Sequence, residues 1–270
     1  MESKIADTLK FKFNPVAIIW TDEKPEKAIQ FKKGKISCVM YLFSAAAKGK
    51  IAVADNETFG CFGGGTGLGF SNQYFNFPGG IECFYHFLST GNENFERGKG
   101  VAKNIEKFVT NEFLDDFLKG ERYQKSPELV KKFVDSLPIM EIPKRYVLFK
   151  PLKDVDASKE EPVAVVFTAN PDQFSALVIL ANYNRDSNES VIIPYAAGCQ
   201  AICLYPYKEA QSDNPRAVVG LIDVSARKNL KRMGRNLFTF AVPYKMFVEL
   251  EDNMEGSFLQ RPTWKHLIEA

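Results

Sequence analysis

The chain has 270 residues, 45% of them hydrophobic and 25% charged, with 35 basic and 33 acidic side chains and a formal net charge of +2. Such a chain buries a sizeable core without disulfide or metal staples. The charge balance, with no block of basic residues, argues against a nucleic-acid footprint. The opening Met1-Glu-Ser-Lys lacks an apolar leader, and no run approaches the roughly 18 apolar residues of a spanning helix, so a cytoplasmic location without a membrane partner is expected.

In chain order, short β-branched runs predict strands over 16–20 and 51–54. Val101, Ile105, Phe108, Val109, Phe113 and Phe117 recur at helical steps, with Gly120 as the stop, so one helix is expected over 101–117. Ser126-Pro127-Glu128 reads as an N-cap followed by a first-turn proline, opening a helix that Pro138 ends. Further strands are expected over 146–149 and 163–168. Asn170 and Gln173 stand at capping-box spacing ahead of a helix through Phe174, Leu177 and Leu180. The remaining strands are expected over 191–194, 218–224 and 237–242. Several of these runs are apolar throughout, as in strands covered on both faces. Strands and helices mix without strict alternation, which predicts an α+β fold with a mixed sheet and packed helices.

Short echoes recur. Pro15-Val-Ala-Ile-Ile-Trp20 resembles Pro162-Val-Ala-Val-Val-Phe167, and Gly60-Cys61 resembles Gly198-Cys199. The segment 38–61 aligns with 176–199 without a gap. An internal duplication is therefore expected, with an N-terminal half 1–140, a C-terminal half 141–270, and Cys61 coinciding with Cys199.

Gly60-Cys61-Phe-Gly63-Gly64-Gly65-Thr66-Gly67-Leu-Gly69 is the most unusual local sequence. As an open loop, Gly63, Gly64, Gly65 and Gly67 would let the backbone approach a ligand and form an anion-binding nest. As a packed crossing, the same glycines would serve close contact alone. The spacing fits neither the dinucleotide fingerprint nor a P-loop. Arg227, leaving a strand end, and Arg122 are candidates for the rim of such a loop. Arg227 could equally pair with Asp223 and hold a turn.

Five cysteines are too few and too scattered for a zinc ribbon, and two histidines exclude a histidine-rich metal site. Cys61 lies within the glycine segment and Cys199 at its echo. Cys38, Cys61 and Cys199 are read as candidate ligands of a [4Fe–4S] cluster or another cysteine-held metal. Cys83 and Cys203 read as buried hydrophobic cysteines.

Gly120-Glu-Arg-Tyr, Phe149-Lys-Pro-Leu152, Ala169-Asn-Pro-Asp-Gln173, Ala197-Gly-Cys199-Gln200, Gly220-Leu-Ile-Asp223-Val-Ser-Ala-Arg227 and Cys61-x-Gly-Gly-Gly resemble the family called Domain of Unknown Function 169. The resemblance runs from about Pro15 to about Trp264. It implies one integral unit and draws Cys38, Cys61 and Cys199 together as the family's cysteine positions, without assigning a reaction. The sequence therefore predicts a cysteine-ligated protein of redox or metal handling that works with a redox partner. The alternative is a protein or enzyme that binds a small anionic molecule through the glycine segment and the arginines.

Overall fold

A computed structural model describes residues 1–231 and 233–269. Its principal elements are α1 (Lys4–Leu9), β1 (Val16–Thr21), α2 (Met40–Ala47), β2 (Ala52–Ala54), α3 (Phe62–Leu68), α4 (Ile81–Phe87), α5 (Glu96–Ile105), α6 (Asn111–Lys119) and α7 (Pro127–Ser136). These are followed by β3 (Tyr146–Pro151), β4 (Ala164–Ala169), α8 (Pro171–Asn182) and β5 (Val191–Ile192). A π-helical turn (Gln200–Leu204) then leads into α9 (Tyr205–Ala210), β6 (Ala217–Gly220), α10 (Val224–Asn229), β7 (Phe238–Pro243), α11 (Tyr244–Asp252) and α12 (Pro262–Glu269). The chain divides into two compact units, Met1–Phe70 with Met140–Ala270, and Ser71–Ile139. These boundaries differ from the single cut between 140 and 141 drawn from the sequence.

The first unit holds one seven-stranded sheet in the order β2-β3-β1-β4-β7-β6-β5. β5 and β6 pair in parallel and the other neighbours antiparallel, so the sheet is mixed and the fold is α+β. Every residue of β4 is buried, because helices cover both sides of this central strand. Alternate residues divide between two cores. Val16, Ile18, Phe149, Val166 and Ala241 face a core built with α2, α3, the π-helical turn and α10. Ala17, Ile19, Val165, Phe167, Phe240 and Val242 face a core built with α1, α8, α11 and α12. Each large side chain buried this way contributes roughly 1.5–3 kcal/mol of transfer free energy.

The second unit is a helical cluster around phenylalanine. The Phe77 ring lies 5.4 Å from that of Phe84, 5.2 Å from Phe87 and 6.1 Å from Phe117. Buried Asn92 donates from Nδ2 to the carbonyls of Cys83 and Phe117, at 3.0 and 3.1 Å. His86 stacks on Phe95 with ring centroids 4.3 Å apart.

Two expectations need correction, and a third is not shown. The helix expected over 101–117 is two helices, α5 and α6. Thr110 caps the second by accepting from Phe113 N–H at 3.2 Å, and Phe108, counted in the apolar stripe, is 86% exposed. The strand expected over 218–224 stops at Gly220, where Leu221 turns the chain at φ 62°. Internal duplication is not found in the fold. Ile18 and Trp20 face the α2 core, whereas the echo residues Val165 and Phe167 face the opposite one. The aligned helices diverge in the same way, α2 covering one face of the sheet and α8 the other. The fold therefore does not show the expected repeat.

A candidate cysteine site on one face of the sheet

The glycine segment forms α3 rather than an open loop. Cys61 is its N-cap, in extended conformation at φ −100°, with Sγ accepting from Gly64 N–H at 3.3 Å. Gly64 through Leu68 are buried. A β-carbon at Gly67 would stand 2.8 Å from Cys199 Sγ and 3.0 Å from its carbonyl carbon, so glycine here admits the π-helical turn against α3. At Gly64 a β-carbon would meet Phe59 O and Val39 Cγ2, each at 2.6 Å. The glycines therefore serve close approach, and the expected ligand-lining loop at Gly63, Gly64, Gly65 and Gly67 does not form.

What they bring close is sulfur. Cys199 Sγ–H donates to Gly63 O at 3.2 Å, and Cys61 Sγ accepts from the next amide, Gly64 N–H. The two sulfurs thus bracket a single peptide group and are no more than about 9 Å apart. Cys38 precedes α2 and takes hydrogen bonds from the Met40 backbone and the Asn229 side chain. Tyr41 Oη reaches Asn229 Oδ1 at 3.4 Å. Burial pushes the Cys38 thiol up to about 11, with the charge of Cys61 adding to it. Burial also raises Cys199 well above the ordinary thiol range, followed by the charges of Cys61, Cys38, Asp223 and Cys203. Cys38, Cys61 and Cys199, brought from three separate segments, therefore lie within each other's electrostatic field. Cys38 and Cys61 are partly exposed, and Cys199 is 7% exposed.

Cys203 is fully buried and pushed up to about 12 by burial, as befits a core thiol. Cys83 belongs to the second unit and is also buried. Among the described residues, no three His, Cys, Asp or Glu side chains stand close enough to hold a single metal ion.

In sequence Asp223 is a candidate partner for Arg227. Its carboxylate instead caps α10, Oδ1 accepting from Ala226 N–H at 2.6 Å. The signal was present in Asp223-Val-Ser-Ala, an acidic residue where a helix starts. Arg227 spends its guanidinium on backbone. Nη1 donates to Leu221 O and Leu237 O at 3.1 and 3.2 Å, Nη2 donates to Arg235 O, and the group lies 5.5 Å from the centre of the Phe238 ring. It thereby holds 235–237 against α10. Arg122 lies in the second unit at φ 60°, Nε donating to Lys119 O at 2.8 Å.

Beside α10 opens a cavity of about 430 Å³. Its charged lining residues are Arg227, Lys228, Lys231 and Arg235, with Leu221 and Leu230 among the apolar ones and no acidic residue among those described.

Fold and site together define an α+β protein with a mixed seven-stranded sheet and a group of cysteines on one of its faces. The chain belongs to the family Domain of Unknown Function 169, described as uncharacterised ArCR, whose family model matches residues 4–253. No curated protein and no solved structure matches the chain. Among the described residues, no helix is long and apolar enough to cross a membrane.

Proposed function

We propose that the protein carries an iron–sulfur cluster or related metal centre on Cys38, Cys61 and Cys199 and serves redox or metal handling. The observation that carries this reading is the gathering of three cysteines from residues 38, 61 and 199 onto one face of the sheet, Cys61 and Cys199 bracketing the peptide group between Gly63 and Gly64. Neutral thiols crowded and buried in this way ionise with difficulty, and a bound cation removes that difficulty by taking thiolates as ligands. Glycine where α3 meets the π-helical turn fits the same purpose, since a side chain at Gly67 would displace Cys199.

A cluster suits these positions better than one ion. A single ion draws all its thiolates to about 2.3 Å from one point. A polynuclear cluster offers each thiolate a different iron, so its ligands stand further apart. A bound cluster would supply one-electron chemistry. The chain's own part is to hold the three sulfurs, donate Gly64 N–H to one of them, and shield Cys199 from water.

The test is absorption spectroscopy with iron and sulfide analysis on anaerobically purified Cys→Ser variants. Substitution of Cys38, Cys61 or Cys199 is expected to lower iron and sulfide several-fold, while Cys83→Ser and Cys203→Ser retain them. Equal loss in all five variants would contradict the assignment.

The basic cavity supports a second reading, a small anionic ligand with an apolar portion beside α10. Four cationic residues over an apolar floor give it that chemistry. A thermal shift in octanoate or inorganic phosphate, abolished in a Lys231→Glu/Arg235→Glu double variant, is the expected result. No shift in either anion would remove this reading.

A further inference from the structure

The cavity beside α10 is one-sided in its chemistry. Its apolar side chains, Leu221, Val224, Leu230 and Leu237, are all aliphatic. Every polar side chain that lines it, among the described residues, is a lysine or an arginine. These two donate hydrogen bonds and accept none. Hydroxyl, amide, imidazole, carboxylate and aromatic side chains are all missing from the described lining.

Two further features hold this shape. Arg227 donates to Leu221 O and Leu237 O through Nη1 and to Arg235 O through Nη2, which ties opposite walls together and engages the carbonyls there. Leu221 stands at φ 62°, a backbone conformation that leucine keeps only where its surroundings enforce it. With Arg227 committed to the walls, the exposed Lys231 and Arg235 are the charges that meet a ligand. The volume of about 430 Å³ falls within the roughly 300–1,000 Å³ of small-molecule sites.

A ligand suited to this lining carries acceptors at one end and aliphatic carbon at the other. Sugars, amino acids and nucleosides suit it poorly. Their hydroxyl and ammonium donors would find no side-chain acceptor, and a base would find no ring to stack on. A carboxylate brings a single charge to four cations, whereas a phosphate monoester brings about −1.5 to −2 and three acceptor oxygens. We infer that the cavity binds a free aliphatic phosphate ester, its phosphate between Lys231 and Arg235 and its chain along Leu221, Val224 and Leu237. This rests on the anion reading of the cavity and narrows it to one ligand class. The planar fork of Arg235 suits two phosphate oxygens at once, and Lys231 neutralises the third as a point charge.

The test is isothermal titration calorimetry of the full chain with n-octyl phosphate, octanoate, inorganic phosphate and adenosine monophosphate, each below any micelle-forming concentration. Octyl phosphate is expected to bind about tenfold more tightly than each of the other three. Its affinity falls several-fold on acidification through about pH 6, where the phosphate takes up its second proton, while that of octanoate hardly changes. Lys231→Glu/Arg235→Glu removes octyl phosphate binding. Val224→Asn, at a side chain that is 65% exposed, weakens octyl phosphate and leaves inorganic phosphate unchanged. Any of the other three anions binding as tightly as octyl phosphate overturns the phosphate-ester class and leaves the anion reading standing. A chain that binds none of the four overturns both. Sedimentation with phosphatidic acid vesicles separates the two sources of such an ester. The protein is expected to stay in the supernatant, and pelleting that octyl phosphate competes away would overturn the free ester in favour of a membrane headgroup.

Discussion

At Gly67 the absence of one carbon atom sets the local geometry. Alanine there would press a methyl group to 2.8 Å from Cys199 Sγ and 3.0 Å from backbone, neither of which yields cheaply. Gly67→Ala is expected to lower the unfolding free energy by about 1–3 kcal/mol, the usual cost of overpacking, read as a fall in the urea midpoint. Gly100→Ala is the control, since a β-carbon within α5 meets nothing within 4 Å. It should stabilise by about 0.5–1 kcal/mol. This contrast also explains why the glycine segment misled. Glycine is the poorest helix former after proline, so a run rich in it reads as a loop. Only the nearness of Cys199, 132 positions away from Gly67 in the sequence, gives the helix its reason.

Cys38 adds a pH dependence to the metal-free chain. Its thiol is raised from an ordinary 9.0 to about 11. Below pH 9 it is protonated both folded and unfolded, so its burial opposes nothing. Between pH 9 and 11 the unfolded chain ionises while the folded chain does not, and folding stability falls with rising pH. The fall attributable to Cys38 is on the order of 2 kcal/mol by pH 11. Urea midpoints from pH 7 to 11 check this, and Cys38→Ala should decline less steeply than wild type. Identical slopes would mean that Cys38 ionises normally.

Among the elements, those with local causes were legible. All seven strands arise within or next to the apolar runs that predict them, although β6 ends at Gly220 and β5 is only half-buried. The capping box at Asn170 and Gln173 is present with both reciprocal bonds, at 2.8 and 2.9 Å. Asn170→Ala should therefore cost about 1 kcal/mol, within the 0.5–2 kcal/mol range of N-cap losses, measured by denaturant unfolding. Elements with competing causes were not legible. Between Ile105 and Asn111 the apolar period continues while Thr110 offers a cap, and the cap prevails. At Leu221 the hydrophobic run continues while a left-handed residue turns the chain away from the sheet and toward Asp223.

For the molecule as a whole, composition and periodicity reach the fold class but not which face each helix covers. Parity along β1 and β4 decides that, and the echoes Ile18 and Val165 face opposite cores, so the repeat drawn from Pro15 and Pro162 is not shown. The cysteine site was half legible. Cys38, Cys61 and Cys199 stood out by their surroundings, whereas Asn229 reaches Cys38 only through the packing of α10. Whether these residues hold a cluster is answered most directly by iron and acid-labile sulfide per chain in protein purified without oxygen. A cluster on the three cysteines gives brown protein with iron and sulfide in equal amounts, roughly four of each per chain for the four-iron form. Colourless protein, with both far below stoichiometric and unchanged after reconstitution, would contradict it.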